Sequence, residues 1–247
     1  MKDYLGTKRR QLETDLSARR LAHTFSLSRY QLYREVSGLI ERYAGGRCLD
    51  VGAGRSPFDE LLRAKCENVV RVDVEDRSGR VDLMADVQSM PQVADASYET
   101  ILCTQVLEHV PRPWDAVAEM ARVLRPDGHL ILSVPHLSAI HEAPHDYYRY
   151  TSSGLEALCC HAGLEVTEVV PAGGLLSFLL HGPSYVMMST VGSLAWLRWP
   201  AWGANYFVLV RLAEPLDRLL GLRAIYPCNL AAVFTKPEPR DRNACRD

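Results

Sequence analysis

No two of the seven cysteines are spaced C-x-x-C, and an odd set at Cys48, Cys66, Cys103, Cys159, Cys160, Cys228 and Cys245 does not suit a closed disulfide framework. Zinc sites of the ribbon or finger type are excluded with it, and the thiols read as reduced core residues. Net charge is almost absent: 28 Lys plus Arg against 30 Asp plus Glu leave -2. Such a chain has no general field for nucleic acid, and its basic cluster is confined to Lys8, Arg9, Arg10, Arg19 and Arg20. The N-terminal stretch also lacks an apolar run between charged flanks, so no signal peptide is expected and the protein is expected in the cytoplasm. What is plentiful is apolar. At 47% hydrophobic over 247 residues the chain can fill a globular core, which excludes disorder and collagen-like repeats.

Along the chain, Leu32, Val36, Leu39, Ile40 and Tyr43 recur at helical spacing with charges between them, and Gly45 and Gly46 stop that helix. Apolar runs then alternate with helix-sized segments. Arg47 to Val51, Val69 to Val74, Val81 to Ala85, Tyr98 to Cys103, His129 to Pro135, Leu164 to Val170 and Cys228 to Thr235 read as strands. Pro57 to Ala64, Pro113 to Leu124 and Gly154 to Ala162 read as helices, the last opened by Ser153 with Glu156 as a capping box. The alternation predicts an α/β protein with a largely parallel sheet and helices on both faces. Its expected parts are an N-terminal helical cap (1–46), a cofactor-binding core (47–171), an apolar insertion (172–226), a last core strand (227–236) and a polar tail (237–247).

The insertion breaks the rhythm. Ala172 to Leu197 contains no Lys, Arg, Asp or Glu, and Trp199, Trp202, Tyr206 and Phe207 follow. Its glycines, Pro183 and hydroxyls make a poor membrane span, so it is expected to form helices that cover an acceptor site, with peripheral membrane contact through 173–207 as the second reading.

The segment richest in chemistry is Cys48-Leu49-Asp50-Val51-Gly52-Ala53-Gly54-Arg55-Ser56, a buried strand ending in an acid and running into a glycine turn before a helix. Gly52 and Gly54 allow a sharp turn and a close approach of backbone to ligand. The dinucleotide fingerprint G-x-G-x-x-G fails because Pro57 stands at its third glycine, and no G-x-x-x-x-G-K-[ST] phosphate loop occurs. The segment instead resembles the first motif of the class I S-adenosylmethionine-dependent methyltransferases, with Ser56 in place of that motif's third glycine.

That resemblance, which extends over most of Arg47 to Val170, implies a Rossmann-like fold of seven strands with S-adenosylmethionine as cofactor. It places the ribose-binding acid at Asp73, with Glu75 as the fallback, and the adenine-edge pair at Asp86 and Val87. Asp86 equally suits an N-cap or turn. Thr104 and Gln105 fall in the segment over the methionine end of the cofactor. Glu108 and His109 follow, either as anchors of that loop before Pro111 or as catalytic groups. Leu124-Arg125-Pro126-Asp127-Gly128 matches the family's turn into the fifth strand, with Asp127 replacing a glycine.

From Pro135 to Thr151 the chain packs three histidines, two acids, three tyrosines and an arginine into 17 residues, more than a connector needs. By the resemblance this is the acceptor pocket, lined by His109, Asp146, Tyr147 and Arg149. His141 and His145 are the leading candidates for general base, ahead of His109 and His136, since a hydroxyl acceptor profits from a base that titrates near neutrality. His141 and His145 are four apart with Glu142 between them, but Pro144 interrupts the helix that an H-E-x-x-H zinc site requires, so no metal is assigned. The fourth strand ends in Thr104-Gln105-Val106-Leu107, without the [DN]-P-P-[YFW] motif of nucleic-acid and glutamine N-methyltransferases. A small-molecule acceptor is expected, its hydroxyl methylated, and an apolar, glycan or lipid-linked compound suits the aromatic insertion. Two alternatives stay open: an S-adenosylmethionine-binding enzyme that transfers no methyl group, and a non-catalytic binding protein of the same fold. Oligomeric state is not legible.

Overall fold

The structure is a computed structural model and describes residues 24, 26–76, 79–140, 142–194 and 196–238. The basic N-terminal cluster, His141 and the end of the polar tail lie outside the described residues. In chain order the elements are α1 (Leu27–Tyr43), β1 (Arg47–Val51), α2 (Asp59–Lys65), β2 (Asn68–Asp73), β3 (Leu83–Met84) and β4 (Tyr98–Thr104), then α3 (Pro113–Val123), β5 (Leu124–Pro135), α4 (Ser152–His161) and β6 (Glu165–Ala172). Helices α5 (Leu175–Thr190), α6 (Arg198–Ala204) and α7 (Arg211–Leu219) precede the last strand, β7 (Asn229–Thr235).

The strands form one sheet in the order β3-β2-β1-β4-β5-β7-β6. From β3 to β5 the neighbours are parallel, with Leu49 beside Val70 on one side and Ile101 on the other. Strand β7 runs the other way. The Lys236 amide donates to the Gly128 carbonyl at one end of β5 and the His136 amide to the Cys228 carbonyl at the other, so numbers rise on one strand as they fall on its neighbour. The Cys228 amide donates to Ala172 at one end of β6, and Thr167 meets Thr235 at the other, giving the same sense. Central strands covered on both faces need unbroken apolar runs, and Leu49, Ile101, Leu102, Cys103, Leu130, Ile131, Leu132, Val233 and Phe234 are all fully buried.

By its contacts the chain divides into two units. One comprises Val36–Pro135, Ala139–Val170 and the chain from Ala231, and holds most of the sheet with α2, α3 and α4. Pro113 stands in the first turn of α3, where its missing N–H costs nothing, and Ala116, Val117, Met120 and Val123 are buried. The other unit comprises the chain to Glu35, His136–Ser138 and Pro171–Leu230. Here α5 is capped from a distance: the Asp217 carboxylate of α7 accepts from the amides of Leu176 and Ser177 at 2.8 and 2.9 Å. Tyr206 stacks flat on Trp202 with ring centroids 5.4 Å apart. The insertion is therefore helical, as its sequence suggests, and no helix among the described residues is long and apolar enough to cross a membrane.

Three local expectations are corrected. Helix α4 is capped by Thr151, whose Oγ1 accepts from the Gly154 amide at 3.1 Å; Ser153 already lies inside the helix. Strand β5 begins at Leu124 rather than His129. Between the pairs Tyr98–Leu124 and Thr100–His129, one residue of β4 faces Arg125 to Gly128, and Asp127 takes a positive φ of 59° to make this bulge. Cys160 is exposed, although the other described cysteines are buried.

Candidate active site

The carboxyl edge of the parallel strands gathers the residues singled out from sequence. At the end of β1, Asp50 is 3% exposed and accepts a 2.6 Å hydrogen bond from the Ser56 hydroxyl. Burial raises its pKa to about 6, against the lowering effect of that hydrogen bond. Gly52 has φ +64°, and a Cβ there would sit 2.3 Å from Val106 Cγ2, so only glycine fits. Gly54, at φ +52°, would place a Cβ in ordinary contact, 3.9 Å from the Gly52 carbonyl oxygen. Ser56 keeps a positive φ of 45° although it replaces the motif's third glycine.

Asp73, at the end of β2, reaches across to this loop: its Oδ2 accepts from the Gly54 amide at 2.8 Å and its Oδ1 from the Glu75 amide at 3.3 Å. A planar carboxylate holding the turn on one side retains acceptor lone pairs for a diol. Met84 of β3 lies directly beside Asp73 in register. Met84 and Val74 are 67% and 75% exposed, an apolar pair flanking the acid where a flat heterocycle finds cover. Sequence reading missed both; the available signal was an apolar residue left at a strand end next to a functional acid. Asp86 is exposed, and its carboxylate accepts from the backbone amide and side chain of Gln88, so it holds a turn as the second reading proposed. Val87 is 7% exposed. The positive-φ glycine turn, half-buried Asp73 and the exposed Val74–Met84 pair fit an adenosyl group.

The expected acceptor side falls on two loops that follow β4 and β5. Thr104 ends β4, and Gln105 turns out of the strand at φ +54° with its amide donating to the Ser133 carbonyl at 2.9 Å. From the second loop, the Tyr147 amide donates to the Glu108 carbonyl at 2.8 Å, Tyr148 to Pro111 and Tyr150 to Leu107. His109 Nδ1 meets the His145 carbonyl at 2.6 Å; a carbonyl only accepts, so Nδ1 carries the proton and the neutral ring has its lone pair on Nε2. His145 Nδ1 lies 3.1 Å from the Tyr147 hydroxyl. Arg149 grips Asp146 through both terminal nitrogens and donates to the carbonyls of Tyr148 and Ala139, so these two charges brace the loop. The stretch from Glu142 to His145 is a turn and not a helix, and among the described residues no group of three His, Cys, Asp or Glu is placed to hold a metal ion.

Glu108 was named in the sequence only as the partner of His109. It is 0% exposed, and neither carboxylate oxygen has a hydrogen-bond partner. Desolvation pushes its pKa up to about 7; its own backbone amide, and after it the facing His109 with Nε2 3.7 Å from Oε1, offset that only in part.

Comparison with known proteins bears on this geometry. Residues 49–132 match the family model described as methyltransferase domain. The ubiquinone biosynthesis O-methyltransferase of Aromatoleum aromaticum is 26% identical over 157 residues, 51% of this chain and 67% of that protein. Among solved structures, the [4+2]-cyclase SpnF superposes with a TM-score of 0.57 at 18% identity, over 85% of this chain and 82% of that one. The phosphoethanolamine N-methyltransferase 2 of Haemonchus contortus, solved with S-adenosyl-L-methionine, gives 0.56 at 14% identity, over 83% and 53%. The neighbours share the fold and differ in chemistry, so the loop from Asp50 to Ser56, lying inside the matched residues, carries the assignment. Over residues 49–132 the chain is similar to a methyltransferase domain, and that loop, the acid at Asp73 and the strand order are the features in which it resembles the class I S-adenosylmethionine-dependent methyltransferases.

Proposed function

We propose that the protein methylates a hydroxyl of a small apolar or lipid-linked acceptor in the cytoplasm, with peripheral lipid contact through 173–207. The observation that carries this reading is the pair of knitted loops after β4 and β5, which sets His109 and His145 together beside the cofactor edge. S-adenosylmethionine, when bound, supplies a methyl group on a sulfonium that is itself a good leaving group. What is left to the protein is alignment, exclusion of water and removal of one proton. Asp50 and Ser56 hold the loop, Gly52 and Gly54 admit the ligand, and Asp73 orients the ribose.

On the other side an imidazole accepts the hydroxyl proton as the new carbon–oxygen bond forms. His109 is suited to this by its fixed tautomer, and the buried Glu108 carboxylate beside Nε2 stabilises the imidazolium that results. His145 is the second candidate, and His141 falls in the same loop. Asp146, Tyr147 and Arg149 shape the acceptor's surroundings. The hydroxyl acceptor is favoured by the O-methyltransferase named among the sequence relatives.

The test is incubation with labelled cofactor and a panel of phenols, polyprenylated phenols, glycosides and amines, reading S-adenosylhomocysteine and labelled product. Methylation of phenols is expected. Methylation of amines alone would overturn the hydroxyl reading. Tight cofactor binding with no product from any acceptor would favour an enzyme that transfers no methyl group.

A further inference from the structure

Glu108 is fully buried, and neither of its carboxyl oxygens has a hydrogen-bond partner. A charged carboxylate left so is costly, whereas a neutral acid can offset its burial by donating its proton to a lone pair within reach. One lies beside it. His109 Nδ1 donates to the His145 carbonyl at 2.6 Å, which leaves the lone pair of the neutral ring on Nε2, and Nε2 is 3.7 Å from Glu108 Oε1. That carbonyl, and the Tyr147 amide donating to the Glu108 carbonyl, hold the pair in place from the loop after β5. A small rotation of either side chain closes the gap to hydrogen-bond length.

We infer that Glu108 is a positioning residue that gates His109. As the neutral acid it donates to Nε2 and withholds that lone pair from the acceptor. As the carboxylate, its proton given up to water, it releases Nε2 and faces the imidazolium formed in turnover. The inference rests on the reading of His109 as base and adds its control by pH. Other groups face Glu108 without deciding its charge. Arg149 and Asp146 do so from the loop after β5, with opposite effects, and are joined to each other. Tyr150 of that loop and Cys103 of β4 are pushed above their ordinary values by burial and stay neutral. Desolvation is the largest effect on Glu108 and outweighs both its own backbone amide and the positive form of His109, so the acid changes form at a pH of about 7.

The test follows the Glu108 carboxyl carbon and His109 Nε2 by NMR in the full chain from about pH 5 to 9, a range that brackets the change of form. Expected are a Glu108 step near pH 7 and a change in Nε2 at the same pH. In Glu108→Gln the side-chain amide donates to Nε2 at every pH, so that change should vanish. In the wild type, kcat on a phenolic acceptor should rise about tenfold per pH unit below the step, as for a base freed by loss of one proton. Glu108→Gln should lose at least tenfold in kcat above the step and show no such rise, and calorimetry with S-adenosylhomocysteine shows that the variant is folded. A Glu108 carboxyl that titrates near 4.5, an Nε2 signal indifferent to the Glu108 step, or the wild-type Nε2 response kept in Glu108→Gln would overturn the proposal. The NMR measurement needs no turnover. A shared proton seen there, with no hydroxyl acceptor methylated, would leave the gate standing and overturn the hydroxyl reading instead.

Discussion

The Ser56 hydroxyl donates to the Asp50 carboxylate at 2.6 Å, closing a turn, residues 50–56, whose two ends are both buried. Ser56 occupies a backbone conformation that favours glycine, and the hydrogen bond offsets the cost of its side chain. Asp127 repeats the pattern at φ 59° in the turn that the family builds with glycines. Both departures from the motifs sit at positive φ, where glycine is the ordinary residue.

Ser56→Ala is expected to destabilise the fold by about 1–3 kcal/mol at pH 8, the range for leaving a buried charged acceptor unpaired. Asp50 has a folded pKa of about 6, above its ordinary value of 3.8. Its favourable contribution is therefore complete below the ordinary value and lost as pH rises through 6. Losing the hydroxyl should steepen that decline, so the variant should differ less from wild type at pH 5 in urea unfolding.

Asp73→Ala should weaken S-adenosylhomocysteine binding by at least tenfold in calorimetry, because the carboxylate that fixes Gly54 is also the expected partner of the ribose. An unchanged dissociation constant would transfer the ribose to Glu75. Gly52→Ala should lose both binding and stability, given the 2.3 Å approach to Val106.

Glu108→Gln should flatten the pH dependence of stability. The Glu108 pKa rises from 4.5 to about 7, so the protein is most stable below 4.5 with respect to this group, and loses that contribution as pH climbs through 7. A rise of that size corresponds to about 3 kcal/mol. Relative to wild type, the variant should gain about that amount between pH 5 and pH 8, with Asp50 leaving a smaller slope in the same direction. Parallel curves would mean that Glu108 is ionised without penalty.

His109→Ala should lower kcat on a phenolic acceptor by about 10² to 10⁴ with cofactor affinity kept, and His145→Ala should do so only if it is the base. Full activity in both variants would pass the role to His141 or remove the need for a base.

Much of the core was legible. Strand β1 falls on the residues read from sequence, because a continuous apolar run between glycines and an acid admits little else. The start of β5 was hidden by Asp127, which sequence treats as a turn residue and the bulge uses inside a strand. The cap of α4 went to Thr151 because the chain enters the helix two residues earlier than Ser153 implies. Asp50, Gly52, Gly54, Asp73 and the loop around His109 were singled out from the family resemblance, and the loop around His145 from its density of titratable groups. The orphaned carboxylate of Glu108 left no local signal, since burial without a partner is a property of packing. Helix α7 was unreadable for a related reason: periodicity assigns leucines to the interior, and here a single buried aspartate reverses the assignment.

The Cys228 amide donates to the Ala172 carbonyl at 3.1 Å, so the helical stretch from Leu175 to Leu219 leaves and rejoins the sheet at hydrogen-bonded neighbours. Closing a loop whose ends already touch costs entropy that grows only with the logarithm of its length. Evolution can thus lengthen, shorten or replace this whole segment while β6 and β7 keep their pairing and the cofactor loop keeps its shape. The junction is a splice point. It separates what the enzyme uses to hold its methyl donor from a part free to be exchanged as the chemistry or location of its partners changes.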